Sequence, residues 1–73
     1  MSDFKFEITE HFAQLNVSPK GWSKELTRVS WNEREAKYDI REWSPDYSKM
    51  GKGITFTEEE LRILRDALNQ MDL

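Results

Sequence analysis

The chain has 73 residues and a mass of 8.7 kDa, room for one domain over residues 1–73 and no second. It holds no cysteine, which removes disulfides and thiolate metal sites, and its three Trp, two Tyr and four Phe argue against disorder despite 34 % charged residues. As averages, a formal charge of -3 and a pI near 5.1 speak against nucleic acid as a partner.

From Met1, charges alternate with aromatics through Ser2-Asp3-Phe4-Lys5-Phe6-Glu7, so there is no apolar leader core and no spanning stretch. A soluble, cytoplasmic protein is expected. Phe4, Phe6 and Ile8 alternate with Lys5, Glu7 and Thr9, the period of a strand with one buried face, and this strand is expected to run on brokenly through Phe12 to Val17. Ser18-Pro19-Lys20-Gly21 is a turn cluster. Trp22 to Trp31, rich in β-branched and aromatic types, predicts a second strand, and Asn32 to Ala36 a polar connection of hairpin length. In the third strand, Lys37 to Trp43, Tyr38 and Ile40 point one way while Lys37, Asp39, Arg41 and Trp43 point the other. Ser44 to Gly53 reads as a loop, leaving Ile54-Thr55-Phe56 as a short final strand.

The period then changes. Thr57 with Glu60 makes a capping box, and Glu58 and Glu59 place negative charge on the positive end of the helix dipole. Leu61, Leu64, Leu68 and Met71 recur at spacings of three, four and three, one apolar stripe along about four turns. The order is β-β-β-β-α, an α+β fold of a four-stranded antiparallel sheet and one C-terminal helix. A domain of this size buries only about 60 % of its unfolded surface, so homodimerisation is expected to help it fold, and the helix stripe is expected to pack on the sheet as core.

Divided by these elements, the charge changes meaning. Residues 1–12 hold three acids and one base, and residues 57–73 hold five acids and two bases. Between them, residues 13–56 hold eight bases against six acids, for +2, together with all three Trp. Cations beside flat rings are what single-stranded nucleic acid requires, because phosphates need charge and unstacked bases need aromatic faces. In so small a domain a strand Trp is more often core than platform. Trp43 shares a face with Lys37 and Arg41, so it is expected to be the exposed one.

From Tyr38 onwards the sequence resembles the DNA-binding domain of the transcriptional coactivator positive cofactor four and its short bacterial relatives. The matching run is Tyr38-Asp39-Ile40-Arg41-Glu42-Trp43, then Met50, then Lys52-Gly53-Ile54-Thr55 leading into the acidic helix. Lys24 to Trp31 matches more loosely and Met1 to Val17 barely. The resemblance implies a curved sheet paired into a two-fold dimer through the helices and sheet edges, so that the stripe of Leu61, Leu64, Leu68 and Met71 is expected to serve as dimer contact as well as core; it implies binding of single-stranded DNA with little sequence preference, RNA remaining open. It implies that Lys24, Arg28, Arg41 and Lys52 track the backbone while Trp31 and Trp43 stack bases; Lys37 is expected to join the backbone contacts, with Lys20, Trp22 and Lys49 at the rim. The chain departs from the pattern in having one aromatic at Trp43 where two often follow each other, and a loop without the expected proline and arginine. Glu33 and Glu35 weigh against a phosphate contact in the hairpin.

An enzyme lacks parts. His11 is the sole histidine, no thiol exists, and Ser23 and Ser30 have no neighbouring base. No metal, cofactor or small-molecule substrate is expected. The remaining rival is a small protein-interaction module that binds a peptide or polymerase subunit through exposed Trp and edge strands.

Overall fold

The computed structural model describes residues 5–73. Four strands, β1 (Phe6–Val17), β2 (Ser23–Trp31), β3 (Lys37–Trp43) and β4 (Met50–Phe56), precede one helix, α1 (Glu58–Gln70). The strands form one antiparallel sheet in the order β1-β2-β3-β4. Phe4, assigned to the first strand by its alternation, lies outside the described residues. β1 carries three register shifts, at Ile8/Glu10, His11/Ala13 and Gln14/Asn16, and these interrupt its alternation after Ile8.

Asn32 and Glu33 both take positive φ, 52° and 64°, and the Arg34 N–H donates to the Trp31 carbonyl at 2.9 Å, a tight turn that opens the five-residue connection from β2 to β3. The last strand is longer than Ile54–Phe56: it begins at Met50, opposite Trp43, so the last four residues of the expected loop are strand. Gly53 marks close approach rather than a turn. A Cβ on Gly53 would lie 2.3 Å from Arg41 Cβ and 2.6 Å from the Ile40 carbonyl oxygen, beside the bulge between Arg41 and Trp43.

α1 opens with the capping box in full: the Glu60 N–H donates to Thr57 Oγ1 at 3.1 Å and the Thr57 N–H to Glu60 Oε1 at 2.9 Å. Leu61 and Leu64 turn towards Leu26, Tyr38 and Ile40 across a groove of about 680 Å³. Met71 is the C-cap, and no residue of α1 is fully buried. Among the described residues no helix is long and apolar enough to cross a membrane.

The register divides the sheet. The helix side carries Lys24, Leu26, Arg28, Tyr38, Ile40 and Glu42; the other side carries Ser23, Glu25, Thr27, Val29, Asp39, Arg41 and Trp43. The fully buried side chains, Trp43, Val29, Thr27 and Asp39, all lie on the side away from the helix. The cause is curl. Trp31 and Trp43 stand at opposite ends of the β2–β3 ladder, yet the Phe6 ring is 6.1 Å from the Trp31 ring and 5.4 Å from the Trp43 ring. The sheet therefore wraps round its own helix-free face and makes a core there without a covering layer.

Candidate nucleic-acid interface

Nine of the ten cationic and aromatic candidates fall into three places, and Lys52 lies on β4 at the register shift opposite Arg41 and Trp43. On the helix-free face are Lys37, Arg41, Trp31 and Trp43. At one end of the sheet, where the turns 18–22 and 44–49 meet with Gly21 against Pro45, are Lys20, Trp22 and Lys49. Lys24 and Arg28 lie on the helix side. The expectation that Lys24 and Arg28 share a surface with Lys37 and Arg41 is thus corrected: they sit at even positions of β2, and adjacent residues of a strand face opposite ways.

Arg28 is also occupied. Its Nη1 lies 3.0 Å from Glu10 Oε1, its Nη2 donates to Tyr38 Oη at 2.8 Å, and its guanidinium carbon is 4.9 Å from the Tyr38 ring centroid. By contrast Lys20, Lys24, Lys37, Lys49 and Lys52 are exposed, and their ammonium groups make no hydrogen bond or ion pair among the described residues. They are the unneutralised cations of the basic centre.

Trp43 is the second correction. Expected to present its ring to solvent beside Lys37 and Arg41, it is 0 % exposed, packed between Phe6 and Tyr47, whose rings are 5.4 and 6.2 Å away. The polar-looking face of β3 is the inner face of the curl, so its aromatic is core. Trp31 and Trp22 remain part-exposed.

Beside Trp31 stands a set of contacts that centres on Arg41. Nε and Nη2 donate to the two carboxylate oxygens of Asp39 at 2.6 and 2.8 Å, Nη1 reaches Met50 Sδ and the Gly51 carbonyl, and the guanidinium carbon lies 4.7 Å from the Trp31 ring centroid. Thr55 Oγ1 adds a bond to Asp39 at 3.2 Å.

A second polar group sits under the β3–β4 turn. Glu25, 4 % exposed, accepts from Tyr47 Oη on one oxygen and lies 2.9 Å from His11 Nδ1 on the other. Tyr47 itself takes a positive φ of 61°, and Asp46 in the same turn is held down to about 2 by the Ser48 N–H and by the Ser48 and Ser44 hydroxyls. Sequence reasoning missed Glu25, Tyr47 and Phe6. Alternation places Glu25 and Arg41 on inner faces only once the curl is known. Among the described residues no three His, Cys, Asp or Glu side chains come together to hold a metal ion.

Glu25 gives the fold an acid limit. Burial pushes its pKa up, but hydrogen bonds from Tyr47, His11 and Ser23 outweigh this and hold it below the ordinary value of 4.5. A depressed carboxylate stabilises the fold above its unfolded pKa, and that contribution disappears as pH falls through the lower folded value. Thermal melts should therefore show the wild-type midpoint falling as pH drops below about 4.5. Glu25→Gln should melt lower than wild type at pH 7 and fall less on acidification; equal acid slopes would remove Glu25 as the cause.

A family model for Transcriptional Coactivator p15 (PC4) matches residues 18–67, from the turn before β2 through most of α1. A relative described as an uncharacterized protein of Treponema pallidum (strain Nichols) is 56 % identical over 71 residues, covering 97 % of this chain and 84 % of its own.

Proposed function

The chain belongs to the Transcriptional Coactivator p15 (PC4) family, and on that footing we propose that it binds single-stranded DNA as a homodimer, with little preference for sequence. It would serve transcription regulation or DNA repair and recombination. The observation that carries this is the helix-free face: a part-exposed Trp31 beside Arg41, with the unpartnered Lys37 on the same face and Lys20, Trp22 and Lys49 gathered at the sheet end. Bases stack on Trp31, while Lys37, Lys20, Lys49 and Lys52 follow the phosphates. A duplex hides its base faces in its own stack and so offers Trp31 nothing to bind. Lys24 and Arg28 lie outside this surface, and Trp43 supports it from beneath.

The test is intrinsic Trp fluorescence titrated with oligo-dT and with a matched duplex at several salt concentrations. Oligo-dT should quench strongly and the duplex weakly, with affinity falling as salt rises. Each phosphate contact on a single strand contributes about -0.7 to the slope of log K against log salt. Lys37→Ala should therefore make the slope about 0.7 shallower while leaving the fold intact. Absence of quenching and of any mobility change with oligo-dT at low salt would overturn single-strand binding in favour of a protein-interaction module.

A further inference from the structure

Arg41 resembles a phosphate ligand by sequence, but its surroundings assign it other work. We propose that Arg41 is a positioning residue: locked by Asp39, it sets the Trp31 ring at the angle at which a base stacks on it, and it neutralises no phosphate itself. The proposal rests on the single-strand reading above and names how that site is held in shape.

Three observations carry it. First, the donors of Arg41 are directed inward. Both oxygens of Asp39 take a bond from the guanidinium fork, and Nη1 is turned to Met50 and Gly51. Second, the pair is sunk in the sheet. The Asp39 side chain is 0 % exposed and that of Arg41 only 14 %, so the charge of one is cancelled by the other before any phosphate arrives, and separating them would strand a buried carboxylate. Third, β4 makes room for the guanidinium rather than for a side chain of its own. A Cβ on Gly53 would sit 2.8 Å from Arg41 Nε, so the glycine keeps the planar group in the layer where it covers one face of Trp31. Planarity is what the role needs, since a guanidinium stacks on an aromatic face and an ammonium does not. Lys37, on the same face, is exposed and unpartnered, the state expected of a phosphate ligand.

The two roles predict opposite results. Arg41→Lys keeps the charge and loses the fork and the plane; Asp39→Asn removes the countercharge and leaves the arginine. If Arg41 positions Trp31, each variant should bind oligo-dT about five- to ten-fold more weakly, a fraction of the worth of one stacked base. Their salt slope should equal that of the wild type, and the near-ultraviolet circular dichroism of the free proteins should change as Trp31 loses its cover. If Arg41 is a phosphate ligand, Arg41→Lys should bind like the wild type and Asp39→Asn more tightly, which would overturn the proposal. Should Asp39→Asn fail to melt cooperatively, Arg41→Lys decides alone. Lack of oligo-dT binding by the wild type would bring down the single-strand reading and this role with it, whereas wild-type binding with unaltered variants would overturn only the role.

Discussion

Trp43→Ala is expected to abolish cooperative folding or to lower the melting temperature by about 15–30 °C, rather than to yield a folded protein that binds weakly. The Trp43 ring is fully enclosed, with Phe6 and Tyr47 against it, on the face of the sheet that no helix covers. Removing a buried Trp or Phe costs about 3–5 kcal/mol, and a domain of this length is stable by only about 4–11 kcal/mol. A loss of 1 kcal/mol moves the midpoint by about 4–8 °C in a domain of this size. The cost here falls at the upper end because the curl is held from inside. Without the indole, Phe6 and Tyr47 lose their common partner, and the two ends of the β2–β3 ladder have nothing to close upon. Trp31→Ala gives the contrast: its ring is part-exposed, so the fold should survive while affinity for oligo-dT drops about 5- to 150-fold, equivalent to the roughly 1–3 kcal/mol of one stacked base. Circular dichroism melts beside fluorescence titrations separate the two. A Trp43→Ala protein that melts like the wild type yet no longer binds would return Trp43 to the binding surface.

That contrast marks where local pattern stops being informative. The order of elements, the parity of β3 and the cap at Thr57 follow from rules acting over two to four residues, and each agrees with the structure. Parity says that Asp39, Arg41 and Trp43 share a face; it does not say which face is inside. A charged, aromatic-ended strand looks solvent-facing by composition, but the sheet curls towards that side. Curl is a collective property of twist, of the bulges in β1 and of the glycine at the β3–β4 crossing, and none of these is written at a single position. The length of β4 escaped for a related reason, since Gly51 and Gly53 resemble turn residues until the strand pairing is seen and Arg41 shows that the space at Gly53 is needed.

The proposed interface was half legible. The concentration of bases and Trp in residues 13–56 pointed to the sheet, and the run Tyr38 to Trp43 with Lys52-Gly53-Ile54-Thr55 pointed to the family whose model matches residues 18–67. Which cations are free could not be read that way. Arg28 and Arg41 look like Lys37 in composition, yet Glu10 and Asp39 already take their charge, and the ion pair of Arg28 depends on β1, where three shifts of register decide who faces whom.

Leu68→Asp should convert the proposed dimer to a monomer while leaving the chain folded. Leu61 and Leu64 are half-buried against the sheet, but Leu68 is 45 % exposed and Met71 53 %; across the groove Leu15 is 54 % exposed, and Phe12, whose ring lies 5.9 Å from that of Tyr38, is 46 % exposed. An aspartate at a position this open disturbs an isolated chain little, within about 0.5 kcal/mol. In a two-fold dimer through this face each substitution enters the interface twice, and two unpaired buried charges at about 3 kcal/mol each correspond to a loss of about 10⁴ in the association constant. Light scattering on a sizing column should then give twice 8.7 kDa for the wild type and 8.7 kDa for Leu68→Asp, with melts whose midpoint depends on concentration only in the former. Leu64→Asp reaches under the helix and should damage folding and assembly together. A wild type that runs at 8.7 kDa at micromolar concentration, or a Leu68→Asp protein that stays paired, would place the dimer contact elsewhere or remove it, and the apolar face of α1 would then need another partner.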